Sequence, residues 1–285
     1  MSRPHLRGQR AHAAALTAAA LVLGAPILAT AAFAAPTPTG PAAATQTQGS
    51  TSTDTGSLRT ATARPLPERL QSLNGARQVV VVTAKDWSTS FARLQAWQLG
   101  GDDVWRQVMA PIHARVGWNG FAPEASRMQN SGETPAGSFR LLRGFGIVDP
   151  GGVDLPYRVV DANDWWPYDP SDPKTYNVLQ QRRPRTADWR TSWAEDLDSY
   201  RQQYRYAVVI DYNLPSGISR TPSGERIAAS PADTRKGGGI FLHVNGSGAT
   251  AGCVSVRRSD MRWLLRWFDP NHAPRIVMGP RGTLR

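Results

Sequence analysis

From residue 78 onward, apolar and β-branched side chains come in short runs, several alternating with polar positions, and the runs are separated by Gly, Pro, Asn and Asp. A period of two bounded by turn formers is how strands read, so this region predicts a mainly β domain. The candidate strands cover residues 79–83, 91–99, 104–108, 138–142, 157–160, 206–211, 239–244, 253–256 and 275–278. Gly100-Gly101-Asp102-Asp103, between the second and third, is a good hairpin loop. Two stretches depart from the alternation. Trp189, Trp193, Leu197, Tyr200 and Tyr204 recur at steps of three or four, which predicts a helix with one apolar stripe. Ser259 as N-cap, the series Met261, Leu264, Leu265 and Phe268, and Asp269-Pro270 as a stop predict another. The expected domain is sheet-rich, with one or two packed helices.

A different texture precedes it. Residues 1–34 hold Arg3, Arg7 and Arg10 without an acid, then an Ala/Leu-rich run, and close on Ala32-Phe33-Ala34. Basic start, apolar middle and small-residue exit are the order of a signal peptide, so cleavage after Ala34 and a secreted, cell-wall location are expected. An uncleaved anchor competes, because the run is nearly long enough to span, but Pro26 and the many weakly apolar Ala residues count against it. Lipidation would need a Cys just after the run, and the only Cys is Cys253. No stable membrane anchor is therefore expected. Residues 35–75 are rich in Pro, Thr, Ala, Ser, Gly and Gln, which predicts a disordered linker, with the folded domain over 76–285.

Composition narrows the chemistry. One Cys cannot close an intrachain disulfide, and five His leave little material for a structural zinc site. The formal charge is +11, and removal of a leader with three Arg and no acid leaves +8. On an exported chain that charge suits an anionic cell envelope better than a nucleic acid, for which no reading motif is present. A basic surface that only maintains solubility accounts for the same number. The pattern specifies no oligomeric state.

Chemistry concentrates in residues 239–256, GIFLHVNGSGATAGCVSV. An apolar strand ends near His243, a Gly/Ser/Ala/Thr loop follows, and a second strand is entered through Gly252-Cys253. If the strands are neighbours, the loop returns the thiol to the imidazole. An imidazolium partner lowers a thiol pKa and supplies a nucleophile for acyl transfer. The backbone N–H groups of Gly252 and Cys253 are placed to face a developing oxyanion. Taken singly, a lone Cys is commonly a small core residue, and a His on an apolar strand is commonly structural.

Two separated segments, Gly132-Glu133-Thr134-Pro135-Ala136-Gly137-Ser138-Phe139 and 243–256, resemble the L,D-transpeptidase catalytic domain family, the cysteine enzymes that remodel bacterial peptidoglycan. The resemblance spans roughly residues 79–279. It implies a β-sandwich-like catalytic domain with a helix, Cys253 as acylated nucleophile, His243 as its base, and no metal or organic cofactor. The implied reaction joins Cys253 to the third residue of a tetrapeptide stem, releases the terminal D-alanine, and transfers the acyl group to an amine as a 3,3 cross-link. With water as acceptor the same site is an L,D-carboxypeptidase, and a catalytically weak wall-binding relative is a further alternative. Three features depart from the family pattern. Thr250 and Ala251 stand where Ser and His commonly precede Gly-Cys, Ser255 stands where an Arg is common, and the stretch from 146 to 206 is long. Asn213, Thr250, Ser255, Arg257 and Arg258 are the substrate-binding candidates, although exposed Arg residues are mostly just solvated. The Trp-rich part of the long stretch, with Trp165, Trp166, Trp189 and Trp193, suits either a groove wall over the acyl-enzyme or a satellite core against the sheet.

Overall fold

The valines at positions 79–82 are all fully buried, which a strand with one wet face does not allow. In the computed structural model, which describes residues 65–182 and 189–284, they lie in β1 (Gln78–Ala84) and serve two cores. Val80 and Val82 join the main cluster, whereas Val79 and Val81 face Leu70, Ala76 and Val277 on the other side. The cover for that second face is the chain just upstream. A 3-10 turn over Leu66–Arg69 leads into it, and Leu66, Leu70 and Leu73 all pack on the sheet. This cover lies upstream of the expected boundary at residue 76. The segment 65–75 has few large apolar groups, but each is set against the outer face of β1, so folded structure reaches back to Pro65. The expected leader and the linker up to residue 64 lie outside the described residues.

All nine expected strands form. They are β1, β2 (Phe91–Leu99), β3 (Trp105–Arg115), β5 (Thr134–Gly146), β6 (Tyr157–Val159), β10 (Ala207–Ile210), β13 (Phe241–Val244), β14 (Val254–Val256) and β15 (Arg275–Pro280). Six short strands were not foreseen: β4 (Phe121–Pro123), β7 (Asp164–Pro167), β8 (Gln180–Gln181), β9 (Ala194–Asp196), β11 (Ser216–Arg220) and β12 (Arg226–Ser230). The main sheet runs β10-β13-β14-β3-β2-β1-β15-β5, and β5 pairs again with β10, so its two edges close into a ring. β5 accomplishes this by changing partner along its length: its middle residues pair with β15 and Leu141, Gly144 and Phe145 pair with β10. Closure leaves no long open edge among these eight strands.

The one α-helix among the described residues, α1 (Arg258–Trp267), places Met261, Leu264 and Leu265 against the ring, each fully buried. At roughly 1.5–3 kcal/mol per buried aliphatic side chain, this stripe is what holds the helix in place. It begins one residue before the expected cap: Arg257 is the N-cap and makes no side-chain capping bond. It ends at Phe268, ahead of Asp269-Pro270 as expected.

The helix expected over 189–204 does not form. The segment holds a 3-10 turn at Thr191–Trp193, then β9, then a second 3-10 turn at Gln203–Arg205. Asp196 accepts hydrogen bonds from the Asp198 N–H at 3.2 Å and the Ser199 hydroxyl at 2.7 Å, a local turn that competes with helical bonding. The backbone of 194–196 instead satisfies itself on β7. Trp189, Leu197 and Tyr204 are still buried, so the stripe recorded burial without helical phase. Among the described residues, no helix is long and apolar enough to cross a membrane.

Candidate active site

β13 and β14 run parallel and adjacent, with Leu242 opposite Val254 and His243 opposite Ser255. Paired residues in a parallel ladder share a face, so His243 and the position two residues before Ser255 project to the same side. That position is Cys253, which packs beside Phe241 in an apolar cluster with Phe145, Trp166 and Tyr204. A cavity of about 490 Å³ lies against this face, and both Cys253 and His243 line it.

Both groups rest neutral. The Cys253 thiol donates to the Gly239 carbonyl at 3.3 Å and accepts from the Phe241 N–H at 3.4 Å. Burial pushes its pKa up to about 12, Glu195 adds to the rise, and the Phe241 N–H and Arg127 oppose it. His243 Nδ1 lies 2.8 Å from the Val244 carbonyl, which can only accept, so the proton sits on Nδ1 and Nε2 keeps its lone pair. Burial lowers the imidazolium pKa to about 4. The expected thiolate held by an imidazolium is therefore not the resting state. With Ala251 in place of a second imidazole, burial outweighs the opposing influence of Arg127 on the thiol and of the Val244 carbonyl on the imidazole.

Cys253 is fixed through its backbone. Its carbonyl accepts from the Thr250 hydroxyl at 2.6 Å and from the Thr134 hydroxyl at 3.4 Å. Thr134 is fully buried and in turn accepts the Gly117 N–H at 2.8 Å. Gly252 has φ +137°, and a Cβ there would stand 2.8 Å from both Arg127 Nη2 and the Glu133 carbonyl. Only glycine fits both the conformation and the space. Its N–H, expected at the oxyanion, instead donates to Thr250 Oγ1 at 3.1 Å, because the tight turn spends that donor internally.

The remaining sequence candidates divide. Thr250 lines the cavity, but its hydroxyl is occupied by the Cys253 and Gly252 backbone. Asn213 does not line the cavity. Its side chain bonds the Asp233 and Gly237 carbonyls at 2.8 and 2.7 Å and the Asp233 N–H at 3.0 Å, which ties down the loop that delivers Gly237 to the cavity wall. Ser255 is fully buried, and its hydroxyl has no partner among the described residues, so it is out of a substrate's reach. Arg257 pairs with Asp260 at 2.9 Å on the exposed start of α1, and Arg258 beside it faces a separate shallow depression with Arg205. Neither reaches the thiol, because both follow the end of β14, away from the cavity.

The cavity's charged residues come from elsewhere. Arg127, nearly fully buried, donates to the Glu133 carbonyl at 2.8 Å and the Lys236 carbonyl at 2.6 Å, which leaves Nη2 beside Gly252. A guanidinium thus stands near the thiol although Ser255 replaces the usual Arg. Glu195 lines the same cavity, accepting from Tyr204 Oη at 2.6 Å and Tyr168 Oη at 3.1 Å. Nothing in the local sequence marked Arg127, and Glu195 was hidden inside the expected helix. Of the two tasks suggested for the Trp-rich stretch, Trp166 and Trp189 take the core one, and none of Trp165, Trp166, Trp189 and Trp193 lines the cavity. Trp166 is core, with its indole N–H on Asn177 Oδ1 at 2.7 Å, while Tyr168, Tyr200 and Tyr204 form cavity wall. Among the described residues, no group of three or more His, Cys, Asp or Glu is placed to hold a metal ion.

Residues 77–277 match the family described as YkuD, L,D-transpeptidase catalytic domain. No curated protein matches the chain. Among solved structures the chain is similar to the helical cell shape determining protein Pgp2 from Campylobacter jejuni, at 14% identity and a TM-score of 0.34 over 77% of this chain. It spans 55% of that relative's length.

Proposed function

The chain belongs to the L,D-transpeptidase catalytic domain family, and from that membership we propose that it is an exported peptidoglycan enzyme in which Cys253 carries the acyl group of a stem peptide as a thioester. The observation that carries the reading is the shared face of β13 and β14, which turns Cys253 and His243 into one cavity.

In the first step the Cys253 sulfur attacks the carbonyl carbon of the third stem residue while its proton passes to His243 Nε2. The peptide C–N bond then breaks, His243 returns the proton to the departing nitrogen, and D-alanine leaves. In the second step an acceptor amine attacks the thioester, the C–S bond breaks, and the proton lost by the amine travels by way of His243 to the sulfur. The Nδ1–Val244 bond keeps the ring oriented through both transfers. Arg127 Nη2 and the Cys253 amide are the groups proposed to face the oxyanion, since the Gly252 N–H is engaged.

The resting pKa values set how the first step runs. Burial holds the proton on the thiol, whose pKa is pushed up to about 12, and off the imidazole, whose pKa is lowered to about 4, so transfer between the two is strongly uphill before the new ion pair's attraction is counted. A free thiolate is thus hardly populated, and proton transfer has to accompany attack. The same neutrality favours a second reading, a slow hydrolase or weakly active wall-binding relative. Incubation with tetrapeptide muropeptides separates these: 3,3-linked dimers mark the transpeptidase, tripeptide alone marks the carboxypeptidase, and sacculus binding without either product marks the binding relative. The exposed Arg257 and Arg258 suit contact with an anionic envelope better than contact with the substrate.

A further inference from the structure

Glu195 is the one carboxylate among the described residues that line the Cys253 cavity, and the acyl transfer proposed above gives it no task. It sits on β9 opposite Trp166 of β7, a backbone pairing that sets it on a strand rather than a loose loop. Each of its oxygens has its own donor, Oε1 the Tyr204 phenol at 2.6 Å and Oε2 the Tyr168 phenol at 3.1 Å. A carboxylate accepts and cannot donate, so both phenols point their protons at it. Neither partner carries charge, and Glu195 makes no ion pair among the described residues. The cavity's guanidinium, Arg127, is held by two backbone carbonyls instead.

An oriented carboxylate without a counter-charge, part-enclosed beside a nucleophile, is a place where a cation gains more than it would in water. The rings of Tyr168, Tyr200 and Tyr204 line the same wall and offer apolar surface to an alkyl chain and π faces to its ammonium head. We propose that Glu195, with Tyr168 and Tyr204, is the recognition site for a primary ammonium, that of the acyl acceptor, which gives one proton to Glu195 (and from there to solvent) before the free amine attacks the thioester, so that the cavity favours an amine over water as the second substrate. This rests on the acyl-transfer reading and deepens it. Two side effects follow from the same geometry. Glu195 adds to the burial-driven rise of the thiol's pKa, and a bound ammonium offsets that contribution. Burial raises the pKa of Glu195 itself while the two phenols oppose the rise, and an arriving cation favours its ionised form.

The test is calorimetric titration of the protein with Nα-acetyl-lysine amide, which carries one ammonium, and with the same compound acetylated on Nε. The ammonium probe should bind wild type, while the acetylated probe, and the ammonium probe on Glu195→Gln, should bind at least tenfold more weakly. Glu195→Asp, which keeps the charge, should recover part of the affinity, and cooperative thermal unfolding of both variants checks their folding. Equal binding by wild type and Glu195→Gln, or no binding by wild type, overturns the proposal. Acylation is not needed for this readout. Ammonium binding without any Cys253 adduct would therefore overturn the acyl-transfer reading and leave the ammonium site standing. The competing source of the ammonium is the donor stem. A donor whose own amine is acetylated should still acylate Cys253, and loss of acylation with that donor would overturn the assignment to the acceptor.

Discussion

The Thr134 hydroxyl donates to the Cys253 carbonyl at 3.4 Å across 119 residues of sequence, and Thr134 takes the Gly117 N–H in return. The two segments that carry the family likeness thus meet directly beneath the thiol. A second hydroxyl, that of Thr250, shares the same carbonyl, so the backbone of the nucleophile is held from two sides.

Replacing Thr134 with Val keeps the shape and removes that link. The Gly117 N–H then loses its buried acceptor, which costs about 1–3 kcal/mol. Urea denaturation should show this loss, and adduct formation at Cys253 should slow more than destabilisation alone explains. Unchanged stability and unchanged acylation would mean the threonine is only filler.

Gly252→Ala should be more damaging than its size suggests. The residue sits at φ +137° with a backbone carbonyl and a guanidinium where the new methyl would stand. Strain of this kind costs on the order of 1–3 kcal/mol, and displacement of Arg127 adds to it. The melting temperature should fall by several degrees, and a variant as stable as wild type would show that the turn accommodates a side chain.

Thiol alkylation tests the neutral resting state. With the Cys253 pKa near 12, the thiolate at pH 7.5 is scarcer than for a simple thiol by roughly three orders of magnitude, partly offset by its greater nucleophilicity. Iodoacetamide should therefore react roughly 100-fold more slowly than with a free thiol, and the rate should still be rising at pH 10. A plateau below pH 8 would reveal a preformed thiolate after all.

The buried imidazole also predicts an acid-sensitive fold. The folded pKa of His243 is near 4 against an ordinary 6.5, so between these values the unfolded chain binds the extra proton. The stabilisation is complete above about 6.5 and is lost as pH falls toward 4, a change of about 3 kcal/mol. Denaturation of wild type and His243→Asn at pH 7.5, 5.5 and 4 should show the two stabilities converging as the pH drops. Parallel profiles would mean that the ring is not buried as described.

Strands were legible in the sequence because burial on one or two faces leaves a direct periodic trace, and the nine alternating or continuous runs all formed. The short strands β7 and β9 were not, since three- and four-residue pairings formed around turns carry no period. The stripe from Trp189 to Tyr204 shows the opposite error: burial at steps of three and four arose in a segment whose Asp196 turn forbids a helix. At the site, the thiol and the imidazole were readable because one loop joins their strands. Arg127 and Glu195 were not, because they enter the cavity from the turn after β4 and from β9, far away in sequence, placed by carbonyls and phenols rather than by a local motif. The electrostatics were unreadable for the same reason. Whether an imidazole activates a thiol depends on burial, and burial here keeps both neutral.

Intact-mass spectrometry of the protein incubated with a tetrapeptide muropeptide is the most direct measurement. A mass gain equal to the stem less D-alanine should appear within a turnover, map to the peptide containing Cys253, and vanish in Cys253→Ala. Wild type that binds sacculi as well as Cys253→Ala, yet gains no mass and releases no D-alanine, would contradict a thioester enzyme.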